Sequence, residues 1–181
     1  STRVRSSAAS DVYKRQEYID QIGIKIRIRQ LHNINYKNNM LRDELVEIAL
    51  QWQAKYGVAP QITSVLSEYD AAMLVGMSEK DYSDYMQDKT AVNKGSDFVF
   101  KHQRYQIKAN RPSGKPGSKV TMVPKASNYL WDKLIWILYD QHYIMQEAWE
   151  WDVENYKQEF DGKSRISPND YRRGKCLFLS H

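Results

Sequence analysis

Between residues 95 and 110 the chain reads Gly-Ser-Asp-Phe-Val-Phe-Lys-His-Gln-Arg-Tyr-Gln-Ile-Lys-Ala-Asn. Phe98 and Phe100, then Tyr105, Ile107 and Ala109, alternate with polar residues at the two-residue period of half-buried strands. This predicts an antiparallel hairpin that reverses at His102-Gln103. With the turn centred there, Asp97 lies opposite Lys108 and Val99 opposite Gln106, so Asp97, Gln106 and Lys108 project from one face.

Helical periods precede the hairpin. Leu41, Leu45, Ile48, Ala49, Trp52 and Tyr56 recur at helical spacing over residues 40–56, with Asn39 as N-cap and Gly57 as the stop, which predicts one buried stripe. Ile62, Val65, Leu66, Tyr69 and Met73 predict a second helix over 61–77. Ser78 caps a short acidic third one that carries Tyr82, Tyr85 and Met86, and Asp70 and the carboxylates through Asp88 read as a solvated face. Before these helices, Ile24, Ile26 and Ile28 alternate with Lys25, Arg27 and Arg29 in a basic-faced strand over 22–31.

After the hairpin, residues 111–119 form a loop by their Pro and Gly content. The loop holds Gly-Lys and Ser without the spacing of a phosphate-cradling P-loop. Residues 134–139, Leu-Ile-Trp-Ile-Leu-Tyr, read as a strand buried on both faces. A further strand spans 143–151, with Ile144, Gln146 and Ala148 on one side and Tyr143, Met145, Glu147 and Trp149 on the other. Trp149 and Trp151 read as core or edge packing ahead of base stacking. Short helices follow at 153–160 and from Ser167-Pro168, the latter ended by Gly174. The elements predict an α/β fold: a central mixed sheet of four to five strands flanked by helices, in one domain over 17–181 with its core at about 38–160.

Composition narrows this picture. The 181 residues are 41% hydrophobic and include five tryptophans, enough for one sizeable core. No apolar run has the length of a membrane span and no signal peptide is visible, so a soluble, cytoplasmic protein of prokaryotic or phage type is expected. Cys176 is the single cysteine, which excludes an internal disulfide and a cysteine-cluster zinc site. The four histidines have neither metal spacing nor a nucleophile partner. Residues 1–16 resemble a translated sequencing linker and are expected to be a non-native or disordered leader. Arg3, Arg5, Lys14 and Arg15 against Asp11 place more than half of the net charge of +5 in that leader.

The remaining positive charge is concentrated beside the hairpin. Lys101, Arg104, Lys108, Arg111, Lys115, Lys119 and Lys125 are interrupted by no Asp or Glu, a pattern suited to a polyanion. A carboxylate, an amide oxygen and an amine on one strand face suit a hard cation that keeps several waters. Asp97 and Gln106 are the candidate Mg²⁺ ligands, with Mn²⁺ as a substitute, and Lys108 is the candidate for positioning the attacking water.

Asp97, a gap, then Gln106-x-Lys108 at the end of a hairpin resembles the PD-(D/E)xK nuclease superfamily, in the Gln-x-Lys form of Mrr-type restriction enzymes. Ser96 stands where a proline often precedes the aspartate, and Gln106 where the second strand usually has an acid. The resemblance implies a restriction-endonuclease-like core and Mg²⁺-dependent cleavage of double-stranded DNA by a homodimer. It also implies a third metal ligand on the first core helix. Of the two glutamates there, Glu44 lies nearer the apolar stripe and is the choice, with Glu47 as the fallback. Lys101, Arg104, Arg111, Lys115, Lys119 and Lys125 are then candidate DNA-backbone contacts. Two rivals stand beside this expectation: a catalytically inactive nucleic-acid-binding module of the same fold, and an interaction domain whose basic loop takes an acidic protein partner.

Overall fold

The computed structural model describes residues 40–89 and 95–180. Contacts divide the chain at residue 40, and the described elements lie in the unit Leu41–His181, apart from Met40 at the head of the first helix. The leader at 1–16, the strand at 22–31 and the Asn39 cap lie outside the described residues.

Three helices come first: α1 (Met40–Tyr56), α2 (Thr63–Leu74) and α3 (Glu79–Asp88). Gly57 ends α1 at φ +77°, a backbone region that glycine enters without a Cβ penalty. The Ser78 hydroxyl caps α3 by accepting from Asp81 N at 3.1 Å, as its position before the acidic turn predicts. The strands are β1 (Phe98–Phe100), β2 (Gln103–Asn110), β3 (Lys133–Tyr139), β4 (Met145–Asp152) and β5 (Lys175–Leu179), with α4 (Val153–Phe160) and α5 (Pro168–Tyr171) between the last two. The sheet runs β1-β2-β3-β4-β5 and is mixed: β2 and β3 are parallel and every other pair is antiparallel. It is the α/β architecture with a five-stranded sheet between helices that the patterning predicts.

Parallel neighbours need a crossover. Residues 111–132 supply it, touching down once where Val123 pairs with Ile166. On one side of the sheet, Ala71 and Ala72 of α2 and Met77 pack on Phe98, Tyr105, Ile107, Ile135, Ile137 and Tyr139. On the other, Val123, Ala126 and Trp131 of the crossover join Tyr156, Phe160 and Tyr171 over Leu134, Trp136 and Trp151. β3 is therefore covered from both faces, which is why its sequence is a continuous apolar run. Trp149 and Trp151 belong to this second cluster, with Trp151 Nε1 donating to Tyr171 O at 3.0 Å.

Three expectations change. The predicted faces of β4 are mixed, because its register against β3 shifts between Leu138 and Tyr139. A one-residue slip turns side chains over, and Met145 joins Ala148 on the α2 side. The buried face of α1 is made by Val46 and Ala49, which meet Leu66 and Tyr143, whereas Leu41, Ile48, Trp52 and Tyr56 are exposed. Asp70 is buried, not solvated: Arg42 Nε and Nη2 each donate to its carboxylate at 2.7 Å, and the Tyr139 hydroxyl at 2.6 Å. No helix among the described residues is long and apolar enough to cross a membrane.

Candidate active site

β1 and β2 pair with Phe98 opposite Tyr105, Val99 opposite Arg104 and Phe100 opposite Gln103. The reversal is therefore the pair Lys101-His102, at φ +48° and +62°, a two-residue hairpin turn with both residues left-handed. The register differs by two residues from the one that places Asp97 opposite Lys108. Two is a full period of the strand, so the faces survive the displacement. Asn110, whose Oδ1 accepts from Trp136 Nε1 at 2.9 Å, marks the Trp136 side of β2. Gln106 and Lys108 share that side by alternation.

Asp97 stands just before β1, where β2 continues without a strand partner on that edge. Its backbone N donates to Tyr105 O at 2.7 Å. Its carboxylate then takes the place of the missing strand: Oδ2 accepts from Ile107 N at 2.6 Å and from Gln106 Nε2. Asp97 and Gln106 are thus brought together. Gln106 meets Asp97 with its amine end, so presenting Oε1 to a cation requires the amide to turn over. Lys108 is half-buried and makes no hydrogen bond or ion pair among the described residues.

The helix carboxylate that feels the charge of Asp97 is Glu68 of α2. It is half-buried with no hydrogen bond or ion pair among the described residues. Burial pushes its pKa up, the Asp97 charge pushes it further, and the Lys89 ammonium opposes both. Lys89 Nζ donates to Asp97 O at 2.5 Å. The Tyr82 hydroxyl is driven above the ordinary tyrosine range by burial, then by Glu68, Asp70 and Asp97. At this margin of the sheet, α2 and α3 bring Glu68 and Tyr82 to the Asp97 that Gln106 holds.

Glu44 is exposed on α1, a helix that packs through Val46 and Ala49 onto Leu66 and Tyr143. Glu47 accepts from Gln51 Nε2 at 3.3 Å on the same helix. Neither contributes to the charge around Glu68, whose electrostatic partners are Asp97 and Lys89. A signal for Glu68 was present in the sequence. It precedes Ala71 and Ala72 by three and four residues, so it shares a helix face with a pair of small residues that allow close approach to a sheet.

The six candidate backbone contacts divide. Arg104 is paired with Asp132, at 3.1 Å from Nε and 2.9 Å from Nη2. The Arg111 guanidinium lies 4.0 Å from the Tyr143 ring centroid, donates to Gln141 O at 3.1 Å and reaches Gln53 Oε1 at 2.6 Å. Lys125 Nζ donates to Asp161 O and Lys163 O at 2.9 and 3.0 Å beyond α4. These three hold the fold together. Lys101 sits in the hairpin turn with Nζ 5.0 Å from the Phe100 ring, and Lys115 and Lys119 are exposed on the crossover. A groove of about 560 Å³ lined by Lys119, Asp140, Gln146 and Arg172 includes neither Asp97 nor Glu68.

No cluster of three or more His, Cys, Asp or Glu able to hold a metal occurs among the described residues. What the site offers a cation is two carboxylates, Asp97 and Glu68, since the Gln106 amide is engaged through its donor end. Asp97 keeps Oδ1 clear of the bonds made by Oδ2, and Glu68 is uncommitted. Such a donor set fits Mg²⁺, which commonly takes one or two carboxylates and completes its shell with water and phosphate oxygens. Comparison with protein-family models finds no match, and comparison with curated proteins finds none either.

Proposed function

We propose that this chain is a Mg²⁺-dependent phosphodiesterase that cuts double-stranded DNA, with a core of the restriction-endonuclease-like kind. The observation that carries the reading is Glu68: a half-buried carboxylate without a hydrogen-bond donor among the described residues, set against the charge of Asp97. Burying a charge near a like charge is costly without a compensating cation, and perturbed acids of this kind concentrate at functional sites. The order of helix, hairpin, buried strand, strand and helix agrees with the resemblance carried by Asp97, Gln106 and Lys108.

In this reading Asp97 and Glu68 hold the ion. Gln106 fixes the Asp97 carboxylate by donating Nε2, and Ile107 N fixes it from the strand. When bound, the ion supplies polarisation of a phosphate oxygen and a lowered pKa for water. Lys89 lessens the repulsion between the two acids while they wait. Lys108, on the Trp136 side of β2 and without a hydrogen bond or ion pair among the described residues, donates through Nζ to a phosphate oxygen of the DNA. Lys101, Lys115 and Lys119, exposed and without an ion pair among the described residues, grip the DNA backbone.

The test is plasmid cleavage with and without Mg²⁺. Wild type nicks or linearises the DNA, Asp97→Ala, Glu68→Gln and Lys108→Ala lose about 100-fold or more, and Glu47→Gln behaves as wild type. Uncut plasmid held equally by all these proteins, and released by salt, refutes the enzyme and identifies a binding module.

A further inference from the structure

α1 presents a second apolar face that no part of the described fold covers. Leu41, Ile48, Trp52 and Tyr56 are 75%, 60%, 52% and 55% exposed. Steps of seven, four and four residues align them along one side of a helix. The Trp52 and Tyr56 rings pack on each other with centroids 4.6 Å apart, and Val58, 67% exposed, continues the stripe past the helix end. A soluble monomer scatters exposed apolar residues singly, whereas a contiguous patch marks an interface.

The charges beside the stripe name the occupant. Glu44 and Lys55 are both exposed and make no ion pair among the described residues. At 100° per residue they fall about 40° and 20° from Ile48 on the same flank, some 16 Å apart along the axis. One end of the stripe is therefore acidic and the other basic. Side by side in parallel, the two charged flanks fall on opposite sides of the seam, and Glu44 and Lys55 find no partner across it. Antiparallel, about a two-fold axis passing between Ala49 and Leu50, they match: Glu44 meets Lys55 of the partner subunit twice over, and Leu41 meets Val58 of the partner subunit.

We infer that the chain self-associates through α1, packed antiparallel against α1 of a second copy, with the Leu41-Ile48-Trp52 stripe at the centre. A two-fold interface must be self-complementary, and this face is so in its charge pattern. The exposed apolar area is on the order of several hundred Å² a side, which with the flanking polar atoms approaches the ~1,200 Å² at which specific interfaces begin. None of Asp97, Glu68, Gln106 or Lys108 takes part, so the association holds whether or not the chain cuts DNA.

Sedimentation equilibrium of the full chain over a range of concentrations tests it. Wild type dimerises. Trp52→Glu and Ile48→Lys are monomeric at the same concentrations with an unchanged far-ultraviolet circular dichroism spectrum. Glu44→Lys and Lys55→Glu each raise the dimer dissociation constant about 10-fold or more, a loss of ~1.4 kcal/mol. The double variant Glu44→Lys/Lys55→Glu returns to within a few-fold of wild type, a rescue that a mere folding defect cannot produce. A wild type that stays monomeric up to its solubility limit overturns the inference. So does a dimer indifferent to Trp52→Glu and Ile48→Lys, or a charge swap that fails to rescue.

Discussion

Replacing Asp70 by alanine removes the acid that pairs bidentately with Arg42 at the buried end of α1. The Arg42 side chain is 9% exposed and that of Asp70 is 2% exposed. Burial alone would lower the Arg42 pKa, but the charge and hydrogen bonds of Asp70 outweigh it and hold the guanidinium above its ordinary value. Removing one partner of such a pair costs about 3–5 kcal/mol, because the other charge stays buried. Two details place this case within the range. Asp43 Oδ1 remains 3.5 Å from Arg42 Nη1, which softens the loss. The Tyr139 hydroxyl loses the hydrogen bond it donates to the carboxylate at 2.6 Å, which adds about 1 kcal/mol. The two effects share one network and do not add, so the expected loss is about 4 kcal/mol.

Against an ordinary domain stability of about 5–15 kcal/mol, that loss is large. With a urea slope near ~2 kcal/mol per molar, the midpoint falls by about 2 M. Urea titration followed by tryptophan fluorescence measures it. The double variant Arg42→Met/Asp70→Leu, which removes both charges of the pair, regains more than half of the loss. A loss below about 1 kcal/mol for Asp70→Ala, the range of an exposed ion pair, would show that the buried pair between α1 and α2 does not exist.

Two further predictions concern the hairpin and its neighbouring acid. Glu68 has a raised pKa, so between 4.5 and its folded value the native state binds more protons than the unfolded one, and its contribution to stability falls as pH rises. Glu68→Gln is therefore more stable than wild type at neutral pH and lacks this decline; melting curves from pH 4 to 8 that run parallel for the two proteins refute the placement of Glu68. Lys101→Asn/His102→Gly suits the left-handed turn at φ +48° and +62° and raises the urea midpoint, by about 0.5–1 kcal/mol in stability; no gain would mean that the reversal lies elsewhere.

What the sequence discloses depends on whether a signal is local. The 134–139 run announces β3 because cover on both faces demands apolar side chains at every position. The hairpin strands are equally plain, yet their register is not, since Lys101-His102 lacks the glycine or asparagine that advertises a left-handed turn. α1 is apolar around more than half its circumference: Leu45, Val46, Ala49 and Leu50 lie beside Leu41, Ile48 and Trp52. Periodicity finds such a helix but cannot say which side meets the core. Asp70 reads as solvated because its partner Arg42 is 28 residues away. Glu68 is missed for a related reason: the helix that lies against β1 and β2 is the second, and only tertiary packing reveals that.

α2 carries two acids two residues apart, some 200° around the helix, and treats them in opposite ways. Asp70 is given a bidentate arginine and a tyrosine hydroxyl, so its charge is neutralised and fixed. Among the described residues Glu68 has no donor and is set against the like charge of Asp97, with Lys89 to moderate the pair. The first arrangement anchors the helix; the second works against folding and persists because the anchor holds it. Structural demand alone would be met better by glutamine or leucine at position 68, since either removes the repulsion and keeps the packing. An acid placed there against its own stability is what the proposed ion site requires, since a cation offsets the repulsion between two carboxylates. Glu68→Gln should therefore gain in melting temperature what it loses in Mg²⁺-dependent cleavage, and a variant that gains the first without losing the second removes the reason for assigning Glu68 to the site.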